Sequence, residues 1–173
     1  MHRLSTTSVS LDSSVVLDFE RSSSLDLLRR LFAGRMLVSD FVEQELGAAS
    51  ILVPGAEVVG LTSDDDWEFF DQLRESRPGL GLGESGAITV AHCRGAALLT
   101  NDRLARNSAE ESRILVAGAI GVLEYAIEVE EITGNEGVRI LEDMVRAGAW
   151  ISDDLVESSG KRYLKNLKIF KDD

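Results

Sequence analysis

The sequence predicts an α/β fold whose core is a parallel sheet of about four to five strands. Short apolar runs alternate with stretches of 3.6-residue apolar period, the pattern of strands joined by crossover helices. Two of those runs end on a carboxylate: Val9-Ser10-Leu11 leads into Asp12, and Ala97-Leu98-Leu99-Thr100-Asn101 into Asp102. In parallel sheets ligands bind just beyond the carboxyl ends of the strands, so both acids fall where chemistry is expected. The third observation is size: 173 residues at 44% hydrophobic suffice for one well-cored domain and are short for two.

The elements follow in order. Residues 8–12 form the first strand. Ser24 stands where it can cap a helix carrying Leu25, Leu28, Leu31 and Phe32 on one face. Met36-Leu37-Val38 is a second strand, after which Asp40 and Glu43 resemble a capping box opening a helix over 41–47. A strand is expected over 57–61 after the Pro54-Gly55 turn, then an acidic helix over 64–76 with Trp67, Phe70 and Leu73 inward. Glycines at 79, 81 and 83 interrupt the pattern before a helix from Glu84 to about Arg94. The strand 96–100 is followed by a short helix after Asp102, a strand at 113–116, and amphipathic helices near 119–130 and 136–147. Trp150-Ile151 leads into a further short helical segment at Asp153. Residues 1–160 read as a single domain and 161–173 as a basic tail.

Charge excludes several chemistries. The net charge is −12, and the first lysine is Lys161; residues 1–160 hold 28 acids against 13 arginines. The body therefore lacks a P-loop lysine, a Schiff-base lysine and a receiver-type lysine. An acidic body attracts nucleic acid poorly by general electrostatics, so such a substrate needs metal ions or local arginines. Cys93 is the only cysteine, which rules out an internal disulfide and a multi-cysteine zinc site. No apolar run approaches the roughly 20 residues of a membrane span, and the first residues lack an apolar signal core, so a cytoplasmic protein with no membrane partner is expected.

Helix phase adds two carboxylates to the strand-end pair. Glu45 lies four residues after Phe41 and three after Val42, on the buried stripe of its helix. Glu84 extends the face of Ala87, Ile88 and Ala91. Each acid also has a structural explanation: helix N-caps for Asp12 and Asp102, a dipole partner for Glu84, an ion pair with Arg35 for Glu45. Their joint convergence on one sheet edge suits Mg²⁺ or Mn²⁺, which favour carboxylate and water ligands.

Four segments in order resemble the motifs of PIN-domain nucleases, above all the toxin-type (VapC-like) ribonucleases of toxin–antitoxin pairs and their close relatives. These are Val9-Ser10-Leu11-Asp12-Ser13-Ser14, Phe41-Val42-Glu43-Gln44-Glu45-Leu46, Leu82-Gly83-Glu84 through Ala91, and Leu98-Leu99-Thr100-Asn101-Asp102. The segment Trp150-Ile151-Ser152-Asp153 is similar to one branch of the family. Glu84 stands where many members carry aspartate, and Gly86 where relatives in that branch often carry another acid, which bears on how many metals are held.

The resemblance implies a three-layer α/β/α, Rossmann-like PIN fold and metal-dependent hydrolysis of RNA phosphodiester bonds. It implies Asp12 and Asp102 as direct Mg²⁺ or Mn²⁺ ligands, Glu84 as a direct or water-mediated one, and Glu45 further out. Ser14, Thr100 and Asn101 are candidates to position water or phosphate, and Arg103 and Arg106 to contact phosphate. An antitoxin protein and a second copy of the chain are the partners it suggests.

Other readings stay open. A PIN-like fold can serve as a non-catalytic interaction module. Gly81-Leu82-Gly83-Glu84-Ser85-Gly86 matches the dinucleotide fingerprint of an α/β nucleotide-binding protein, although polar residues rather than a strand precede it. His92 and Cys93 are adjacent and splay apart on a helix, which argues against a dyad, and His2 sits at the terminus. The tail places Lys161, Arg162, Lys165, Lys168 and Lys171 among Leu164, Leu167 and Phe170, which suits either a helix packed on the acidic body or a binding arm.

Overall fold

A computed structural model describes residues 4–48, 51, 53–149, 151 and 153–169, with side chains omitted at 153–154 and 164–169. His2, Trp150, Ser152, Phe170 and Lys171 lie outside the described residues, as do the side chains of Leu164, Lys165, Leu167 and Lys168. Five strands form one parallel sheet: β1 (Val9–Leu11), β2 (Met36–Ser39), β3 (Glu57–Val59), β4 (Ala97–Leu99) and β5 (Val116–Ala117), in the order β3-β2-β1-β4-β5. Register aligns Leu11 with Val38 on one side and Leu99 on the other, so β1 and β4 end side by side. The chain leaves β1 toward β2 and returns to β4 on the opposite side. That reversal opens a crevice at the carboxyl ends of β1 and β4.

Helices cover both faces. On one side α5 (Leu82–Cys93) lies against β1, β2 and β4, flanked by α4 (Asp64–Ser76) and α6 (Arg103–Glu111). On the other, α1 (Ser13–Arg21), α2 (Leu25–Leu31), α7 (Ala119–Glu128), α8 (Gly134–Arg146) and α9 (Asp153–Ile169) pack together. Between them α3 (Asp40–Ala48) starts directly at the end of β2 and touches both α5 and α1. The result is the expected three-layer α/β/α arrangement. Strand alternation serves it: Val9 and Leu11 are fully buried in the main core, while Ser10 turns to α5 and donates to the Ala87 carbonyl at 2.8 Å.

Several local expectations are corrected. Helix α1 fills the stretch between the strand 8–12 and Ser24 to which no element is assigned above, and it buries Val15, Val16 and Phe19. Strand 113–116 moves to Val116–Ala117, since Arg113 has φ +60° and no strand accommodates that backbone. Strand 57–61 stops at Val59. The cap of α3 is Ser39, whose hydroxyl accepts the Val42 amide at 3.2 Å, in place of an Asp40–Glu43 box. Helix α5 begins at Leu82, two residues ahead of Glu84. Trp67 is 44% exposed rather than inward, although Phe70 and Leu73 are buried.

The segment at Asp153 is a 17-residue helix that runs unbroken across residue 160. Its Tyr163 is 1% exposed, packs toward Gly137 of α8 and donates its hydroxyl to the Ile120 carbonyl at 3.3 Å. Among the described residues no helix is long and apolar enough to cross a membrane.

Tyr163→Ala should lower stability by about 3–5 kcal/mol, the usual cost of truncating a buried aromatic. Chemical denaturation of the full chain measures it, and an unchanged midpoint would mean that α9 is a dispensable appendage. Asp66, buried in α4, accepts both Arg94 guanidinium nitrogens (2.9 and 3.0 Å) and the Thr62 and Ser63 amides, bonds that hold its carboxyl well below the usual range. A depressed folded pKa stabilises the fold above the unfolded carboxylate range and is lost as pH falls through the folded value. Arg94→Ala should cost about 1–3 kcal/mol at neutral pH, and the deficit relative to the unmutated chain should shrink in denaturation series run below about pH 4.

Candidate metal centre at the sheet edge

Asp12 follows β1 directly and is 1% exposed. Its Oδ2 accepts two hydroxyls, Ser14 Oγ at 2.5 Å and Thr100 Oγ1 at 2.7 Å. Those hydroxyls accept in turn from the next loop: Asn101 N–H reaches Ser14 Oγ at 3.0 Å and Asp102 N–H reaches Thr100 Oγ1 at 3.1 Å. The chain's two strand ends are thereby clamped through one carboxylate oxygen. The other, Asp12 Oδ1, is buried with no hydrogen-bond partner, alone in that condition among the described side chains. Burial pushes the Asp12 pKa up, the two hydroxyls pull it down, and the charge of Glu45 adds to the rise. A buried carboxylate with one bare oxygen is costly unless something cationic completes it.

The other three acids lie within electrostatic reach of one another or of Asp12. Asp102 caps α6, its Oδ1 accepting the Ala105 amide at 2.7 Å, so the capping explanation holds for one of its oxygens. Glu84, half-buried in the first turn of α5, accepts the Gly81 amide at the start of that helix. Its pKa is raised first by burial and also by the charges of Asp12, Asp102 and Glu45, against the lowering effect of the Gly81 bond. Glu45 does not pair with Arg35, whose guanidinium donates to the carbonyls of Leu4, Thr7 and Leu31. Glu45 instead accepts Ser13 Oγ at 2.8 Å and the Gly83 amide at 3.2 Å, and it is exposed, so it stands at the rim.

Gly83 has a structural reason to be glycine. A Cβ there would come within 2.3 Å of the Glu45 carboxylate, so the bare backbone lets α3 deliver that acid to α5. Gly86, one turn on, is similarly filled by Ser39 and Phe41. The glycines of the dinucleotide-like segment thus serve helix packing, after a loop and not a strand.

The supporting residues divide. Ser14 and Thr100 hold Asp12, as above. Asn101 is committed to the scaffold: its amide nitrogen donates to Asp18 at 2.6 Å and its oxygen accepts the Ala119 amide at 2.8 Å. Arg106 donates to the Thr100 carbonyl at 3.3 Å, inside the same loop, while Arg103 is exposed. Asp18 and Ser13 were missed. Both belong to the unanticipated α1, and Asp18 lies three residues from Val15, the same phase signal that singled out Glu45.

Other chemistries find no support nearby. His92 stacks on Phe69 at 4.0 Å, and burial lifts the Cys93 thiol to about 11, far from a reactive thiolate. A cavity of about 560 Å³ opens at the opposite, amino-terminal end of the strands and carries no carboxylate.

Asp12→Asn should raise the melting temperature of metal-free protein, because it removes the buried charge while an amide oxygen still accepts both hydroxyls. Differential scanning calorimetry in EDTA tests this, and a lower midpoint would show that the charge is already compensated within the protein. Gly83→Ala should leave the melting temperature equal or higher, as alanine favours helix by about 1 kcal/mol. The displaced Glu45 should nevertheless reduce any activity of the site as much as Glu45→Gln does.

The match to known proteins agrees with this arrangement. A profile of the PIN domain matches residues 8–163, from the residue before β1 to the buried Tyr163 in α9. No curated protein matches the chain. With all four acids inside the matched span, the chain belongs to the PIN-domain family, a family of nucleases in general.

Proposed function

We propose that this protein is a Mg²⁺- or Mn²⁺-dependent endoribonuclease, acting as the toxin of a toxin–antitoxin pair. The observation that carries the metal is the bare Asp12 Oδ1, buried beside three further acids at the β1–β4 crevice. The four acids offer carboxylate oxygens, the chemistry that hard divalent cations select. Among the described residues no three such side chains stand grouped for ligation, and amides of Gly81 and Gly83 hold Glu84 and Glu45. Asp12 and Asp102 are therefore the direct ligands in this reading, with Glu84 next and Glu45 acting from the rim.

When bound, the metal supplies an activated water and offsets charge on the leaving oxygen. The chain's own part is positional. Ser14 and Thr100 fix the Asp12 carboxylate, the α6 cap fixes one oxygen of Asp102, and Arg106 with Arg103 offers cations for the phosphates. The RNA preference and an antitoxin partner rest on the resemblance of the four motifs to toxin-type members.

The test is cleavage of single-stranded RNA by the full chain with Mg²⁺ or Mn²⁺. Cleavage should vanish in EDTA and in Asp12→Asn or Asp102→Asn, and fall by about 10- to 100-fold in Glu45→Gln, as for residues outside the direct ligand set. Equal cutting by the unmutated chain and the aspartate variants would end the proposal.

The amide-tied Glu45 and Glu84 favour one second reading, a non-catalytic PIN-like interaction module. Mn²⁺ separates the two: it should raise the melting temperature of the unmutated chain and leave Asp12→Asn unmoved if the site binds metal.

A further inference from the structure

The acids at the crevice have a cationic neighbour that the sequence did not single out. Arg74 of α4 is half-buried, with its guanidinium 5.8 Å from the centre of the Phe70 ring and its Nη1 donating to the Leu80 carbonyl at 3.4 Å. The Leu80–Gly81 peptide group that receives Arg74 through its carbonyl gives its N–H to Glu84. One peptide unit separates the guanidinium from a site carboxylate.

Arg74 also declines a partner that its equivalents accept. Arg21, Arg29 and Arg146 each pair with an aspartate three residues earlier, at 3.9, 2.7 and 2.5 Å. Arg74 has Asp71 at that spacing, yet among the described residues it forms no ion pair. Most of its guanidinium donors are left for something outside the protein.

An aromatic cluster continues from it. Phe70 stacks on Phe41 at 5.1 Å, and Trp67 meets Phe70 and Phe41 edge-on at 5.7 and 6.5 Å. Trp67 and Arg74 are seven residues apart, about two turns along one stripe of α4. An arginine fork fits phosphate, and an exposed indole face takes an unstacked base.

We propose that Arg74 and Trp67 form a subsite for the nucleotide beside the cleaved phosphate of a single-stranded RNA, Arg74 holding phosphate and Trp67 stacking the base. The subsite deepens the nuclease reading and rests on it for its place beside the cleaved bond. Charge sets the strand's path. Asp64, Glu68, Asp71 and Glu75 form a row along the adjoining flank of α4 and repel phosphates there. The backbone therefore meets α4 at Arg74, and an uncharged base crosses to Trp67. Both residues are positioning groups.

The test is fluorescence titration of the full chain carrying Trp150→Phe and Asp102→Asn, which leaves Trp67 as the sole tryptophan and cleavage disabled. With Mg²⁺ present, a short single-stranded RNA should quench Trp67. Arg74→Met should weaken that binding about tenfold, the scale of one lost stack or phosphate contact, with Arg74→Lys recovering part of it. In the cleaving chain, Trp67→Leu and Arg74→Met should raise KM about tenfold while kcat stays near its original value, a split that lost stability does not produce.

Absence of quenching, or quenching indifferent to Arg74→Met, overturns the subsite. So does quenching by a lysine-rich peptide but not by RNA, which would make α4 a protein-docking face. Failure of the nuclease reading looks different: RNA would quench Trp67 in an Arg74-dependent manner while the unmutated chain cut nothing with either metal.

Discussion

A carboxylate taken out of water at the junction of β1 and β4 is the constraint around which the rest of the structure is arranged. Asp12 Oδ2 draws the protons of Ser14 and Thr100, and those hydroxyls accept the amides of Asn101 and Asp102. The two strand ends, the start of α1 and the loop into α6 are held by this one charge. Removing the Oδ2 acceptor would disrupt four hydrogen bonds in series, whereas leaving the carboxylate incomplete on the Oδ1 side costs stability. Such a trade is characteristic of sites where function, not folding, selects the residue.

The helices are set to bring acids to that charge. The β2 strand turns straight into α3 through the Ser39 cap, which aims Glu45 back across the crevice. Gly83 and Gly86 remove the side chains that would hold α5 away from α3. Asn101 ties α1 and α7 to the loop after β4 through Asp18 and Ala119, so the scaffold on the opposite face of the sheet also fixes the site. The like charges of Asp12, Glu45, Glu84 and Asp102 accumulate against their mutual repulsion, and packing of this rigidity is what keeps them together.

Outside the crevice, charge is used more conventionally. Asp66 and Arg94 form a bidentate pair with additional amide donors, a satisfied arrangement that asks for no ligand. Arg74 differs because its donors are not consumed, and its aromatic surroundings favour a planar guest. Neither distinction is visible from residue type alone.

Sequence alone was enough for the α/β class, the parallel sheet and the strand ends at Asp12 and Asp102. Apolar runs ending on Asp12 and Asp102 are properties of local periodicity that tertiary packing had little freedom to alter, whereas Glu45, read on the buried stripe of its helix, is exposed at the rim. Local periodicity also fell short elsewhere. No element is assigned to 13–23 from sequence, which hides Asp18, and Trp67 falls on the apolar stripe yet remains exposed because Phe41 and Phe70 fill the space beneath it. Only the tertiary structure decided how the acids are held. Whether an oxygen is capped, bridged or bare depends on donors 86 to 88 residues away, as with Ser14 and Thr100 or Asp12 and Thr100. Hydrogen-bond completion is a property of the assembled sheet edge, and no single segment encodes it.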